Sequence, residues 1–114
     1  MSNDQPLPLD TDCRTVKAQL DAEHPFLLID CREPDEHALV SIAAARLMPM
    51  SQIQSQLAEL EPHRHDHIVV HCHHGGRSRR VTQWLRGQGF PLVQNMAGGI
   101  DQWAVEIDPQ LPRY

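Results

Sequence analysis

The chain of 114 residues and 13.0 kDa is long enough for one domain and too short for two, because a chain of this mass buries roughly two-thirds of its unfolded surface. A hydrophobic fraction of 40% excludes a wholly disordered polymer, and no run approaches the ~20 apolar residues of a membrane span. The net charge of −5 is uneven, since His63 to Arg86 carries five Arg and one Asp and the remainder carries −9; this argues against a nucleic-acid binder and for a local site that holds a small anion.

Met1 to Pro8 is polar with two prolines and reads as a loose lead-in to a single domain over Leu9 to Tyr114. It has neither the basic nor the apolar region of an export signal, so the cytoplasm is the expected compartment. Asp10 is a candidate N-cap for a helix with Cys13, Val16 and Leu20 on one face, ending near His24-Pro25. Phe26-Leu27-Leu28-Ile29, closed by Asp30, has the pattern of a strand buried on both faces. Glu33-Pro34 starts a short helical turn with proline at its first position. Ser51 and Gln54 have capping-box spacing ahead of an apolar stripe of Ile53, Leu57 and Leu60, which predicts a helix beginning at Ser51. Ile68-Val69-Val70 is a second buried strand and runs into His71-Cys72. After Gly75-Gly76, the residues Ser78, Val81, Trp84 and Leu85 share a helical face, and Gly87 or Gly89 ends that helix. A last strand is expected around Leu92-Val93, with a final helix from Ile100 through Trp103. The alternation predicts an α/β fold with a mainly parallel sheet.

In such sheets ligands bind beyond the carboxyl ends of the strands, which is where Asp30-Cys31-Arg32 and Cys72 fall. The segment His71-Cys72-His73-His74-Gly75-Gly76-Arg77-Ser78 takes a cysteine out of a buried strand, through a glycine-containing loop, to a helix start that carries an arginine. The glycines allow backbone N–H groups to converge, the helix N-terminus adds partial positive charge and Arg77 adds a full one; together they favour thiolate over thiol.

This loop resembles the Cys-x4-Arg active-site loop of rhodanese-like sulfurtransferases. Ile29-Asp30-Cys31-Arg32-Glu33-Pro34 is similar to the family's D-x-R element, and Gly98-Gly99-Ile100-Asp101-Gln102-Trp103 to its C-terminal GG-x3-W signature. The three elements occur in the family's order and span about two-thirds of the chain. Val40 to Ala45 departs from the family's GHIPGA segment, and His73 stands where thiosulfate-type members often carry a basic residue. The resemblance implies a five-stranded, mainly parallel sheet flanked by helices on both faces. It implies sulfur transfer through a persulfide on Cys72, with His73, His74, Gly75, Gly76 and Arg77 binding the substrate, Asp30 and Arg32 supporting the site, and no metal or organic cofactor. The implied partners are a small anionic sulfur donor such as thiosulfate and a cyanide, thiol or protein acceptor, with no nucleic acid and no membrane. A persulfide carrier that docks on a protein partner is the alternative. Related phosphatases place five residues between Cys and Arg, whereas four separate Cys72 from Arg77, so phosphate-ester hydrolysis is not expected.

The period-two spacing of His63, His65 and His67 suits a metal only on an extended segment, and a solvated connector is the expectation there. Cys13, Trp84 and Trp103 are read as core, and Cys31, at a strand end near the pocket, as a resolving thiol or a small filler, the filler being favoured.

Overall fold

The computed structural model describes residues 7–114. Five strands, β1 (Asp10–Thr11), β2 (Leu27–Asp30), β3 (Arg46–Leu47), β4 (Ile68–His71) and β5 (Val93–Met96), form one sheet in the order β1-β5-β4-β2-β3, with every pairing parallel. Four α-helices, α1 (Cys13–Asp21), α2 (Pro34–Leu39), α3 (Gly76–Gly87) and α4 (Gly99–Glu106), and a 3-10 helix over Leu57–His63 connect them. β4, wholly buried, is the central strand.

Period-two alternation divides the strand residues between two cores. Ile29, Ile68 and Val70 face Ile53, Leu60, Val81 and Leu85 on the side of α3, while Leu28 and Val69 face Val16, Ile100 and Trp103 on the side of α1 and α4. Cys13 is fully buried in the second core and Trp84 packs against the first, both as expected. The fold class is therefore as the sequence implied, with all pairings parallel.

Several boundaries differ. Asp12, not Asp10, caps α1, its Oδ1 accepting from the Thr15 N–H at 2.7 Å; Asp10 instead lies in β1 against Asn95. α1 ends at Asp21, and Glu23 turns the chain with a φ of 56°. No helix starts at Ser51: its hydroxyl donates to Glu33 Oε1 at 2.6 Å, which draws the side chain toward the start of α2, and turns run on to the 3-10 helix. Ile53 and Leu60 are nevertheless buried, because apolar anchors hold the segment without a regular helix between them. Of the expected lead-in, Leu7 and Pro8 are tied down by the Arg86 guanidinium through their carbonyls, and Met1 to Pro6 lie outside the described residues. Among the described residues no helix is long and apolar enough to cross a membrane.

Candidate active site

β4 delivers Cys72 to the carboxyl edge of the sheet, where the chain turns sharply enough to start α3 four residues later. Gly75 makes that turn with a φ of 115°, in the left-handed region that a side chain disfavours, and a Cβ there would press on the Gly98 nitrogen at 3.3 Å. The result points two backbone donors at the Cys72 sulfur, the Gly75 N–H at 3.1 Å and the Ser78 N–H at 3.4 Å. The Ser78 hydroxyl lies 3.3 Å from the same sulfur, and its single proton is shared among Cys72 Sγ, the Gly75 carbonyl and Asn95 Oδ1. Asn95 keeps its oxygen toward Ser78 because its Nδ2 donates to Asp10 Oδ1 at 2.9 Å.

The largest influence on Cys72 comes from across the sheet. Cys31 lies beside Cys72 on the neighbouring strand, and its thiol, with the Ser78 and Gly75 donors, outweighs burial and holds the Cys72 thiol well below its ordinary range. Cys31 moves the opposite way, pushed up by the neighbouring Cys72 and by burial. The Gly75 and Ser78 donors face Cys72, which favours the negative charge there. Burial, with the charges of Glu106 and Asp12, pushes Cys13 up to about 12, which leaves it an inert core thiol.

Arg77, expected to orient the anionic donor or to brace the loop, is engaged by a carboxylate. Its Nη1 and Nη2 donate to both oxygens of Glu36 at 2.6 and 2.8 Å, a bidentate clamp that ties the start of α3 to α2 and holds the Glu36 carboxyl down to about 2. Arg77 therefore braces the loop, and much of its charge is already answered.

His73 and Tyr114 stack in nearly parallel planes with centroids 3.8 Å apart, while Tyr114 donates to Glu36 Oε2 and accepts from Arg32 Nη1. His73 also packs against His74, which is exposed at the loop's rim, as is Gly76. Asp30 and Arg32 form a fully buried bidentate pair, and Arg32 also donates to the Val40 carbonyl at 2.7 Å. Val40, in the segment that departs from the family pattern, is thereby pinned under the site.

The loop is held from behind by α4. The Ile100 and Asp101 N–H groups donate to the Cys72 and His73 carbonyls at 2.9 and 3.0 Å, an approach possible because position 99 has no side chain. A Cβ on Gly99, whose φ is 59°, would lie 2.4 Å from the His73 oxygen and 2.5 Å from the Cys72 oxygen. Gly99→Ala is expected to cost about 1–3 kcal/mol in denaturant unfolding and to lower activity on the order of tenfold to a hundredfold by displacing the cradle. Wild-type stability and turnover in this variant would contradict the packing described.

The site thus brings together Cys72, Gly75 and Arg77, with His73, His74 and Gly76 at its rim and Asp30 and Arg32 beneath. Sequence reasoning missed Ser78, Glu36, Gly99 and Tyr114, and for Cys31 it favoured a small filler over a resolving thiol. The other histidines are dispersed: His63 contacts Asp66, His67 lies between His24 and Gln94, and His71 is buried against the Cys72 carbonyl. Among the described residues no three His, Cys, Asp or Glu side chains converge as a metal site would require.

Comparison with known proteins matches residues 12–106 to the model of the rhodanese-like domain. A sulfurtransferase of Allochromatium vinosum is 33% identical over 93 residues, covering 82% of this chain and 85% of that protein. A chloroplastic rhodanese-like/PpiC domain-containing protein 12 of Arabidopsis thaliana is 35% identical over 91 residues, covering 76% of this chain and 30% of that protein, so the chain spans under a third of this longer relative. The crystal structure of a rhodanese-like domain protein from Staphylococcus aureus superposes with a TM-score of 0.79 at 25% identity, covering 94% of this chain and 99% of the other. These similarities support sulfur transfer as the class of chemistry. With the same ordered motifs, the same sheet and a family model that matches most of its length, the chain belongs to the rhodanese-like domain family.

Proposed function

We propose that the protein is a sulfurtransferase that moves a sulfane sulfur from a small anionic donor, such as thiosulfate, to cyanide or a thiol through a persulfide on Cys72. The observation that carries this reading is the Cys72 sulfur itself, 1% exposed and surrounded by the Cys31 thiol, the Gly75 and Ser78 N–H groups and the Ser78 hydroxyl. Such a sulfur is a nucleophilic anion at neutral pH. In the first step the thiolate attacks the outer sulfur of thiosulfate, an S–S bond forms, the donor's own S–S bond breaks and sulfite leaves with the electron pair. The new charge rests on the outer sulfur, and convergent N–H donors suit it without a metal or cofactor. In the second step cyanide attacks that sulfur, and thiocyanate leaves as the Cys72 thiolate is restored.

A persulfide carrier serving a protein acceptor is the second reading, favoured by one observation: Glu36 already occupies both arms of Arg77, which leaves less free charge to capture a small anion.

Thiocyanate formation from thiosulfate and cyanide separates them. Sustained turnover with ping-pong kinetics is expected of the enzyme, whereas stoichiometric sulfite release without turnover would favour the carrier. Neither product would defeat both readings with thiosulfate. In parallel, p-nitrophenyl phosphate hydrolysis is expected to be negligible, because the four-residue gap between Cys72 and Arg77 is too tight for a phosphoryl group against the sulfur. Cys72-dependent phosphate release would refute the loop-size argument.

A further inference from the structure

Cys31 is adjacent to Cys72 because of strand register. β2 and β4 pair in parallel with Ile29 opposite Val70 and Asp30 opposite His71, so the next step sets Cys31 beside Cys72. The Cys31 N–H donates to the His71 carbonyl at 3.0 Å, which extends the ladder by that step. Both side chains leave the same face of the sheet, since Ile29, Cys31, Val70 and Cys72 all enter one core. Neighbouring strands lie about 4.8 Å apart, within the range of roughly 4.4–6.8 Å between Cα atoms that a disulfide spans. Cys31 approaches Cys72 from β2, whereas Gly75 and Ser78 approach from the loop and α3, so Cys31 and the backbone donors do not compete for one position. Cys31 is 0% exposed, which makes Cys72 its natural reaction partner.

We propose that Cys31 is the resolving thiol of this site: when Cys72 carries a sulfane sulfur and no acceptor arrives, Cys31 displaces that sulfur as hydrosulfide and closes a Cys31–Cys72 disulfide. The inference rests on the persulfide reading above. The Cys31 sulfur attacks Cys72 Sγ, a new S–S bond forms, and the bond from Cys72 Sγ to the outer sulfur breaks. The outer sulfur takes the electron pair and the Cys31 proton and departs as HS⁻. The sulfane sulfur is reduced to sulfide and the two cysteine thiols are oxidised to the disulfide, with no external oxidant. A small dithiol returns both thiols by exchange and is itself oxidised to its disulfide. The charge state supplies the timing. While Cys72 is a thiolate, its charge beside Cys31 keeps Cys31 a thiol. Once Cys72 Sγ is bonded to sulfur the charge moves outward, and that restraint on Cys31 is relieved.

The test uses the whole, pre-reduced protein without oxygen or free thiol. Thiosulfate is expected to release one sulfite and then one sulfide per chain, and peptide mapping is expected to recover Cys31 linked to Cys72. Cys31→Ala, treated at a pH above the free-thiol range of ~8.5 so that Cys72 ionises without Cys31, should release sulfite but no sulfide and keep the extra sulfur on Cys72. A wild-type protein that releases sulfite but retains the persulfide, with Cys31 free, overturns the inference and leaves the sulfur-transfer reading standing. Absence of sulfite defeats the thiosulfate reading instead, and a second arm then decides the inference alone. Methyl methanethiosulfonate places a methylthio group on Cys72; loss of methanethiol with formation of the same linked peptide supports the resolving role, and any other product in the wild type overturns it.

Discussion

Cys72→Ser is expected to lower thiocyanate formation by at least on the order of 10³-fold while leaving the unfolding transition close to that of the wild type. A serine oxygen fits a position that is 1% exposed and can accept from the Gly75 and Ser78 N–H groups. The same donors that make a thiolate at neutral pH cannot ionise a hydroxyl, and an oxygen cannot carry the sulfane sulfur through a labile S–S bond. Steady-state assay beside circular-dichroism melting checks both halves. Substantial residual turnover in a folded variant would move the chemistry away from Cys72.

Arg32→Leu is expected to destabilise the protein by about 3–5 kcal/mol, a large share of a typical domain's total, because it strands the Asp30 carboxylate in the interior. Arg32 and Asp30 are both 0% exposed, and Arg32 spends its donors on Asp30, the Val40 and Glu36 carbonyls and the Tyr114 hydroxyl. The backbone N–H of residue 32 and the His37 ring would remain beside Asp30, each at 3.0 Å, with no buried cation to replace the guanidinium. Burial pushes the Asp30 carboxyl up, but the Arg32 hydrogen bonds and the neighbouring histidines outweigh it and leave it below its ordinary range. The folded state therefore favours the ionised form, so this stabilisation is present above the unfolded carboxylate range and is lost as pH falls below it. Denaturant titration of Arg32→Leu, Asp30→Leu and the double variant checks the argument: the double variant should be less damaged than the sum of the singles. An unchanged midpoint in Arg32→Leu would contradict it.

The parts of the fold legible in the sequence are those whose pattern has one physical cause. Leu27–Asp30 and Ile68–His71 are apolar because both their faces are covered, and α3 follows from Gly75, the stripe through Leu85 and the closing glycines. The two-residue strands β1 and β3 are too short to show any period, and only the start of β5, around Leu92-Val93, was legible, because Gln94 and Asn95 are polar yet buried. Their partners explain them: Gln94 donates to the Pro8 carbonyl, and Asn95 sits between Asp10 and Ser78. The Ser51 capping box misled because a short motif records what a serine can do, whereas Glu33 offered it a better acceptor.

The site was legible in its loop and not in its surroundings. Cys72, Gly75 and Arg77 lie in one contiguous segment whose order states a strand, a turn and a helix start. Cys31 and Glu36 lie 41 residues before Cys72 and Arg77, respectively, and Tyr114 lies 41 after His73. Their contacts depend on β2 lying next to β4, a neighbour relation that local pattern does not encode. Ser78 had a local signal, since a residue in the first turn of a helix that follows the cysteine loop presents its N–H toward the loop's centre.

The most direct test of the account is the pH dependence of Cys72 alkylation, followed by brief iodoacetamide labelling and peptide mapping of the native protein. Cys31, Ser78 and Gly75 hold the Cys72 thiol well below its ordinary range, so its labelling rate should already be on a plateau at neutral pH and Cys13 and Cys31 should remain unlabelled. Cys31→Val should move the rise in rate toward the range near pH ~8.5 of a free cysteine. A wild-type rate that climbs through that range, or preferential labelling of Cys13 or Cys31, would contradict the assignment of Cys72 as the held thiolate.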